Sequence, residues 1–280
     1  MSKIKELFGK YCDGSVDLSN ILLRQICPFS GKKCFKTRKS NPDISIGTCT
    51  VHFQNDNIII CPNRLLENNQ VFIDCLHLLT LHEPGNELYV VPEISIPGGS
   101  IDFFLVSAKD KKVKDFAGIE FQTMDTTGTV WPERQRLLYE NGININKLEI
   151  KDKKSFGINW KMTAKTILVQ MHHKSKTFEN IFKHLVLIIQ KPFFNYINKE
   201  FLFTHVQGVK IGDSVHIHVY DLKESSNKFK LSLDTRVSTD FEGISKSLGL
   251  KAEHKVELKD LIKNIESKLK DEYRLNLNII

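Results

Sequence analysis

The chain has 280 residues and no apolar run that approaches the roughly 18 needed for a membrane-spanning helix. Its first residues, MSKIKELFGK, lack the uninterrupted apolar stretch of a secretory leader. These two absences point to a cytoplasmic protein with no membrane partner. Proline- or serine-rich linkers and internal repeats are also missing, so nothing cuts the chain into independent modules. The six cysteines do not follow the CxxC…CxxC spacing of a common zinc finger, and disulfides are disfavoured in a cytosolic chain.

With 41% hydrophobic and 26% charged residues, the chain can bury a full core. The net charge of +7 is unevenly spread. Residues 1–64 hold ten Lys/Arg against five Asp/Glu, and residues 151–230 hold fourteen against six. Residues 83–136 reverse this, with six against nine. An acidic centre between basic flanks suits a protein that grips a polyanion and sets metal ions at the middle of its grip.

The acidic centre contains PGGSIDFFLVSAKDKKVKDFAGIEFQTMDTTG, residues 97–128. Ile101 to Val106 and Ala117 to Thr123 are short runs of strand formers, and the polar stretch Ala108 to Asp115 is expected to be the loop of a hairpin. Side chains two apart on a strand share a face, so Glu120 and Gln122 are expected to look together toward Asp102. Alternation on a half-solvated hairpin can make such a pair by accident. Glu120, however, lies among apolar neighbours, where a carboxylate is costly unless it binds something. Gly98 and Gly99 allow close backbone approach, which a ligand or a plain turn would use equally. Two carboxylates with substrate phosphate are what Mg²⁺ takes as ligands, and the layout is that of a metal-dependent nuclease.

Cys27, Cys34, Cys49 and Cys61 are separated by six, fourteen and eleven residues and sit beside Gly, Pro or basic residues that mark turns. Four thiolates would close a tetrahedral site for zinc or iron and staple a polar N-terminal segment, with Cys12 able to replace one of them. Cys75 lies in an apolar stretch, Val71 to Leu81, read as helical, and is expected to be a buried core thiol.

Elsewhere, Pro132 to Arg136 is expected to open a helix, with Pro in its first turn. Arg134 and Arg136 on that helix, and Lys161 and Lys165 on a helix over Gly157 to Lys174, are DNA-binding candidates. His184 to Gln190 is read as a buried strand or core helix segment, with strand favoured, and Val215 to Leu222 with Lys228 to Leu233 as a hairpin turning at Ser225 to Asn227. His216 with His218, and His172 with His173, have no companion carboxylate or cysteine at ligand spacing and are read as surface or phosphate-facing residues. Lys255 to Tyr273 is expected to form an amphipathic helix.

The order CPFSGKKCFKTRKSNPDISIGTC, IIICPNR, VVPEISIPGGSIDFFL and DFAGIEFQTMDTTGT resembles the NotI-type restriction endonucleases of the PD-(D/E)xK nuclease superfamily, over roughly residues 24–140. The resemblance implies an α/β fold: a mixed β-sheet core flanked by helices, carried by residues 65–280, with a four-cysteine metal-binding segment in residues 1–64. It implies a structural iron (zinc being the other metal suited to such thiols) on Cys27, Cys34, Cys49 and Cys61. The motif Asp falls on Asp102, and the E-x-Q pair, in which Gln stands for the usual lysine, falls on Glu120 and Gln122. Glu93 is the best-placed further carboxylate, with Glu83 and Glu87 as alternates. Asp102, Glu120 and the Phe121 carbonyl would hold Mg²⁺, and Gln122 would orient a water. The implied activity is that of a type II restriction endonuclease cutting double-stranded DNA, working as a homodimer on a palindromic site. Two rivals are a DNA-binding or regulatory protein with a four-cysteine metal site and an inactive nuclease-like sheet, and a repair or structure-selective nuclease of the same superfamily.

Overall fold

The computed structural model describes residues 2–13, 16–150, 156–203, 205–206, 208–225, 228–250 and 262. The helix expected over Lys255 to Tyr273 lies outside the described residues, Ile262 apart, as do Ser226 and Asn227 of the expected turn.

The chain opens with a hairpin of β1 (Ile4–Leu7) and β2 (Lys10–Tyr11). Helix α1 (Leu18–Arg24) follows, its first turn capped by the Asp17 carboxylate, which accepts from the Asn20 N–H at 3.2 Å. Strands β3 (Thr37–Arg38) and β4 (Asn41–Ser45) form a small ribbon. Strands β5 (Thr48–Phe53) and β6 (Asp56–Ile59) complete a sheet of order β2-β1-β5-β6. The stretch Val71 to Leu81 departs from the single helix expected there. It holds a four-residue helix, α2 (Gln70–Ile73), and a separate 3₁₀ turn at Leu76–Leu78, and Cys75 between them is fully buried.

Three long antiparallel strands follow: β7 (Glu87–Ile96), β8 (Gly99–Lys109) and β9 (Lys112–Gln122). The expected eight-residue loop between β8 and β9 is replaced by a two-residue turn. Asp110 and Lys111 both take positive φ, 50° and 60°, as a tight hairpin turn requires, so the polar flanking residues continue the strands. After β10 (Thr126–Thr127), α3 (Trp131–Glu140) begins with Pro132 in its first turn, as anticipated. Strand β11 (Gly157–Ile158) pairs with β10, and α4 (Trp160–Asn180) then crosses back over the sheet. Strand β12 (His184–Gln190) runs parallel to β9. Helix α5 (Lys191–Glu200) leads to β13 (Val215–Ser225), parallel to β12, and the antiparallel β14 (Lys228–Thr239) and α6 (Phe241–Ser247) follow.

The result is a mixed α/β architecture around a six-stranded sheet of order β14-β13-β12-β9-β8-β7. Side chains alternate across it. On β8 and β9, Phe104, Val106 and Phe116 face the core shared with α4, while Leu105, Ala117 and Ile119 face the core shared with α2. Packing crosses the boundary read at residue 64. Ile4, Leu7, Val51 and Ile58 share one apolar core with Ile167, Leu187 and Ile189. The Ile59 N–H donates to Gln190 Oε1 (2.9 Å), and Gln190 Nε2 donates to the Asn57 carbonyl (2.6 Å). Buried Arg64 pairs with Glu6 at 2.9 Å and donates to the Phe229 carbonyl at 2.9 Å, tying the N-terminal segment to the far edge of the large sheet.

Candidate active site

The ladder between β8 and β9 runs up to Phe103 opposite Ile119 and stops. One step on, the register sets Asp102 across from Glu120, but the strands are held there by a side chain: Asp102 Oδ2 accepts the Phe121 N–H at 2.8 Å. The backbone N–H of Asp102 in turn bonds the Glu120 carboxylate. The two acids therefore meet where the sheet opens. On the other side of β8, Pro92 pairs with Phe103 and Ile94 with Ile101, which sets Glu93 across from Asp102. Glu93 is exposed, with φ 42° at a gap in the ladder that leaves the register unshifted, and its charge adds to the rise that burial imposes on the Asp102 pKa. The same register separates the alternates. Glu87 pairs with Ala108, six residues along β7 and on the order of 20 Å away, and Glu83 precedes the strand.

Glu120 is buried, only 4% exposed, and its Oε1 lies 2.7 Å from Lys174 Nζ, itself buried on α4. Helix and strand spacings explain the meeting. Gly118 leaves room for Phe178, because a Cβ on it would stand 2.4 Å from the Phe178 ring. Two residues along β9 from Gly118 is Glu120, and one helical turn back from Phe178 is Lys174, steps of similar length, about 6–7 Å. Burial pushes the Glu120 carboxyl up to about 7, with Lys174 opposing the rise and Asp102 adding to it. Loss of hydration also raises Asp102, although that residue is exposed at its outer side, and the Phe121 N–H and Lys174 oppose the shift. The sequence reading missed Lys174. Its signal was a lysine on the apolar face of a 21-residue helix, four residues from Phe178.

Gln122 shares the Glu120 face, but its Nε2 turns to the Thr123 carbonyl at 2.6 Å. The three-way convergence expected of Asp102, Glu120 and Gln122 is thus a pair of carboxylates with an ammonium, and the amide stands to one side. Gly98 and Gly99 serve a turn and helix contact. A Cβ on Gly98 would lie 2.8 Å from the His173 carbonyl, and one on Gly99 3.2 Å from Lys174 Cε.

The four cysteines are all buried: Cys27, Cys34, Cys49 and Cys61. Cys49 and Cys61 are hydrogen-bonded to each other, and Cys34 interacts electrostatically with Cys61 and Cys27. Backbone N–H groups of Asn63 and Arg64 point at Cys61 sulfur, and those of Lys36 and Gly47 at Cys34 sulfur. The bond from Cys49, helped by the Lys36 charge and those N–H groups, holds the Cys61 thiol down to about 6, against the opposing effect of burial. Cys12 sits elsewhere, beside Glu6 and Asp13, and burial pushes its thiol up to about 12. Among the described residues no group of three or more His, Cys, Asp and Glu side chains has the arrangement to hold a metal ion as placed.

The basic candidates divide. Arg134 is buried at 3% exposure, donating to the carbonyls of Ile46 (2.7 Å) and Ser45 (3.4 Å) and lying over the Trp131 ring. The expectation that it meets DNA is corrected: a guanidinium so enclosed braces β4 against α3. Arg136 is partly exposed and paired with Glu133. Lys161 and Lys165 are exposed, one turn apart on α4. A cleft of about 900 Å³ lies beyond the end of β9, lined by Lys36, Arg38, Lys39, Asp125, Thr129 and Trp131 among others. His216 and His218 are fully buried, contrary to the surface role expected of them.

Set against known proteins, the chain matches no protein-family model and no curated protein.

Proposed function

We propose that the chain is a metal-dependent endonuclease of the PD-(D/E)xK type, acting as a type II restriction endonuclease on double-stranded DNA. The observation that carries this reading is the opening between β8 and β9, where the register sets Asp102, open to solvent, across from buried Glu120, and each is bonded by a backbone N–H of the other's strand. A mixed sheet with flanking helices is the core that the resemblance implies.

Two carboxylates whose proton affinity loss of hydration raises, with Asp102 adding to the rise at Glu120, are a donor set for a hard divalent cation, so Asp102, Glu120 and the Phe121 carbonyl would hold Mg²⁺. Bound there, the ion supplies Lewis-acid polarisation of the phosphate and an acidified water. Asp102 fixes β9 by holding the Phe121 N–H. Glu93, on the next strand, adds negative charge at the solvent side and can take a proton from water. Gln122, freed from the Thr123 carbonyl, can orient a water by accepting and donating at once. In the N-terminal segment, the buried thiols and the N–H groups aimed at them are donors of the type that hold a structural iron or zinc, with Cys27, Cys34, Cys49 and Cys61 as its ligands.

DNA is favoured as substrate by the exposed Lys161 and Lys165 and by the basic side of the cleft beyond β9. A homodimer is favoured by β7, an edge strand that exposes Leu88, Tyr89, Val90 and Ile94. One observation favours the rival binding protein: Glu120 is already neutralised by Lys174. Incubation of the full chain with Mg²⁺ and several unmethylated genomic DNAs separates the two. Discrete fragments with uniform ends are expected from the wild type. Glu120→Ala should bind the same DNA and cut it at least 10²-fold more slowly, the loss of several kcal/mol of metal-borne stabilisation. Wild-type protein that binds DNA and leaves every substrate whole would establish the binding protein instead.

A further inference from the structure

β7 ends the six-stranded sheet, and among the described residues no strand pairs with its outer side. Sheets guard such edges with prolines, charges or irregular backbone, because bare N–H and C=O groups recruit other strands. Only one half of β7 is guarded. Pro92, and Glu93 with its φ of 42°, close the half beside Asp102. Leu88, Tyr89, Val90 and Val91 form an open apolar run, and the strand has no lysine or arginine. The first three are each 40–44% exposed. Pro92 also fixes which backbone groups are free. It pairs with Phe103 yet has no N–H to give, so its backbone faces outward. Successive residues of an antiparallel strand alternate in this respect. Leu88 and Val90 therefore turn N–H and C=O to the open side, while Glu87, Tyr89 and Val91 turn theirs to β8.

We propose that this open half binds a second copy of the chain: β7 pairs antiparallel with the partner's β7, Leu88 opposite Val90 and Tyr89 facing its own twin on the twofold axis. In that register Leu88 and Val90 exchange both backbone bonds with each other across the interface, and the two tyrosines form a cross-strand aromatic pair. Neighbouring registers fit less well. With Val90 on the axis, Glu87 would stand opposite Glu93 of the partner subunit, two like charges in contact. With Leu88 on the axis, Val90 would meet Asn86, whose N–H is already given to the Glu83 carbonyl at 3.1 Å. Centred on Tyr89, Glu87 faces Val91 and Glu93 faces Gly85, so no acid meets an acid. Opposed residues of an antiparallel pair share a face, which puts Tyr89, Glu93 and Asp102 of both copies on one side of the joined sheet. At about 3.4 Å per residue and 4.8 Å per strand, the two Asp102 positions lie roughly 30 Å apart. That is within one turn of a DNA duplex, about 34 Å. The pairing rests on the homodimer of the proposed function and not on its chemistry.

Sedimentation and cross-linking of the full chain test this. At micromolar concentration the wild type should sediment near twice its 32.2 kDa. Val90→Pro removes an outward N–H and copies the arrangement that β7 already tolerates at Pro92, so the monomer should keep its fold in thermal melts. Its dimer should dissociate at least ~10-fold more readily, since twofold symmetry deletes the bond twice. Tyr89→Cys should cross-link the copies on oxidation, because facing residues in a non-hydrogen-bonded pair have Cα atoms about 4.5 Å apart, within disulfide reach. Leu88→Cys and Val90→Cys should not, each thiol-bearing Cα lying about 8 Å from its twin, beyond the ~7 Å limit. Oxidised wild type, with its six native cysteines, sets the background. A monomeric wild type overturns the proposal, whether another part of the chain or a different protein takes the edge. So does a folded Val90→Pro that dimerises as tightly as the wild type, or a Tyr89→Cys protein that cross-links no more than the background. If Val90→Pro does not fold, the cysteine series decides alone. A dimer of this register that never cuts DNA sinks the nuclease reading and leaves the pairing standing; a monomer that cuts does the reverse.

Discussion

His216 and His218 lie fully enclosed on β13, and among the described residues His216 Nδ1 and His218 Nε2 have no hydrogen-bond partner. Burial lowers both, His216 to about 4 and His218 to about 3. The sign follows directly. Below the ordinary histidine value of about 6.5 the unfolded chain takes up protons that the folded chain still refuses, so the stability these residues allow is complete above that pH and drains away as acid is added. Each contributes a slope of ~1.4 kcal/mol per pH unit until its folded value is reached. Urea midpoints measured from pH 7.5 to 5 should therefore fall steeply, and a His216→Leu, His218→Leu protein should show a shallower fall. Equal slopes would mean that other groups set the acid limit. A lone strand's alternation shows which residues share a face. Whether that face is covered depends on the strand's rank in the sheet, and β13 is interior, between β12 and β14. That rank is invisible in a run such as VHIHVY.

At the scale of elements, the match between α4 and β9 decides where the ammonium lands. Gly118 is its seat, since any larger residue must displace the Phe178 ring. Gly118→Ala should cost about 1–3 kcal/mol as overpacking, read as a lower melting temperature. Phe178→Leu in the same chain should recover part of it by making room; no recovery would show that the contact at Gly118 is not what limits the fit. The residues spoke clearly where period and composition agreed: the strands holding Asp102 and Glu120, the helix opened by Pro132, and the strand His184 to Gln190 all appear. They spoke less clearly at element ends. Asp110 and Lys111 are ordinary polar residues that happen to take positive φ, so the turn between β8 and β9 looked longer than it is. The helix expected over Gly157 to Lys174 is displaced to Trp160–Asn180, leaving Ile158 in a strand and Met162 exposed. Lys174 went unnoticed because a lysine near a helix end looks solvated until its facing strand is known.

For the molecule as a whole, residues 1–64 are wired into the large sheet through contacts more than a hundred positions apart in sequence, such as Arg64 with Phe229. Contacts of that range leave no local trace, so nothing in residues 1–64 read by themselves reveals them. If the four thiols hold the metal proposed for them, stripping it should accordingly weaken the entire fold. With a strong chelator, or in Cys61→Ser, calorimetry should record one transition at lower temperature; an early, separate N-terminal melt would contradict the shared core. The reciprocal pair of bonds from Gln190 gives this wiring a direction. They rivet the β6 hairpin to the last residue of β12, the strand lying alongside β9. Any slackening around the sulfurs is thereby handed to the immediate neighbour of the strand that bears Glu120, so the thiol-rich lobe and the acid pair share one mechanical frame and lose their alignment together.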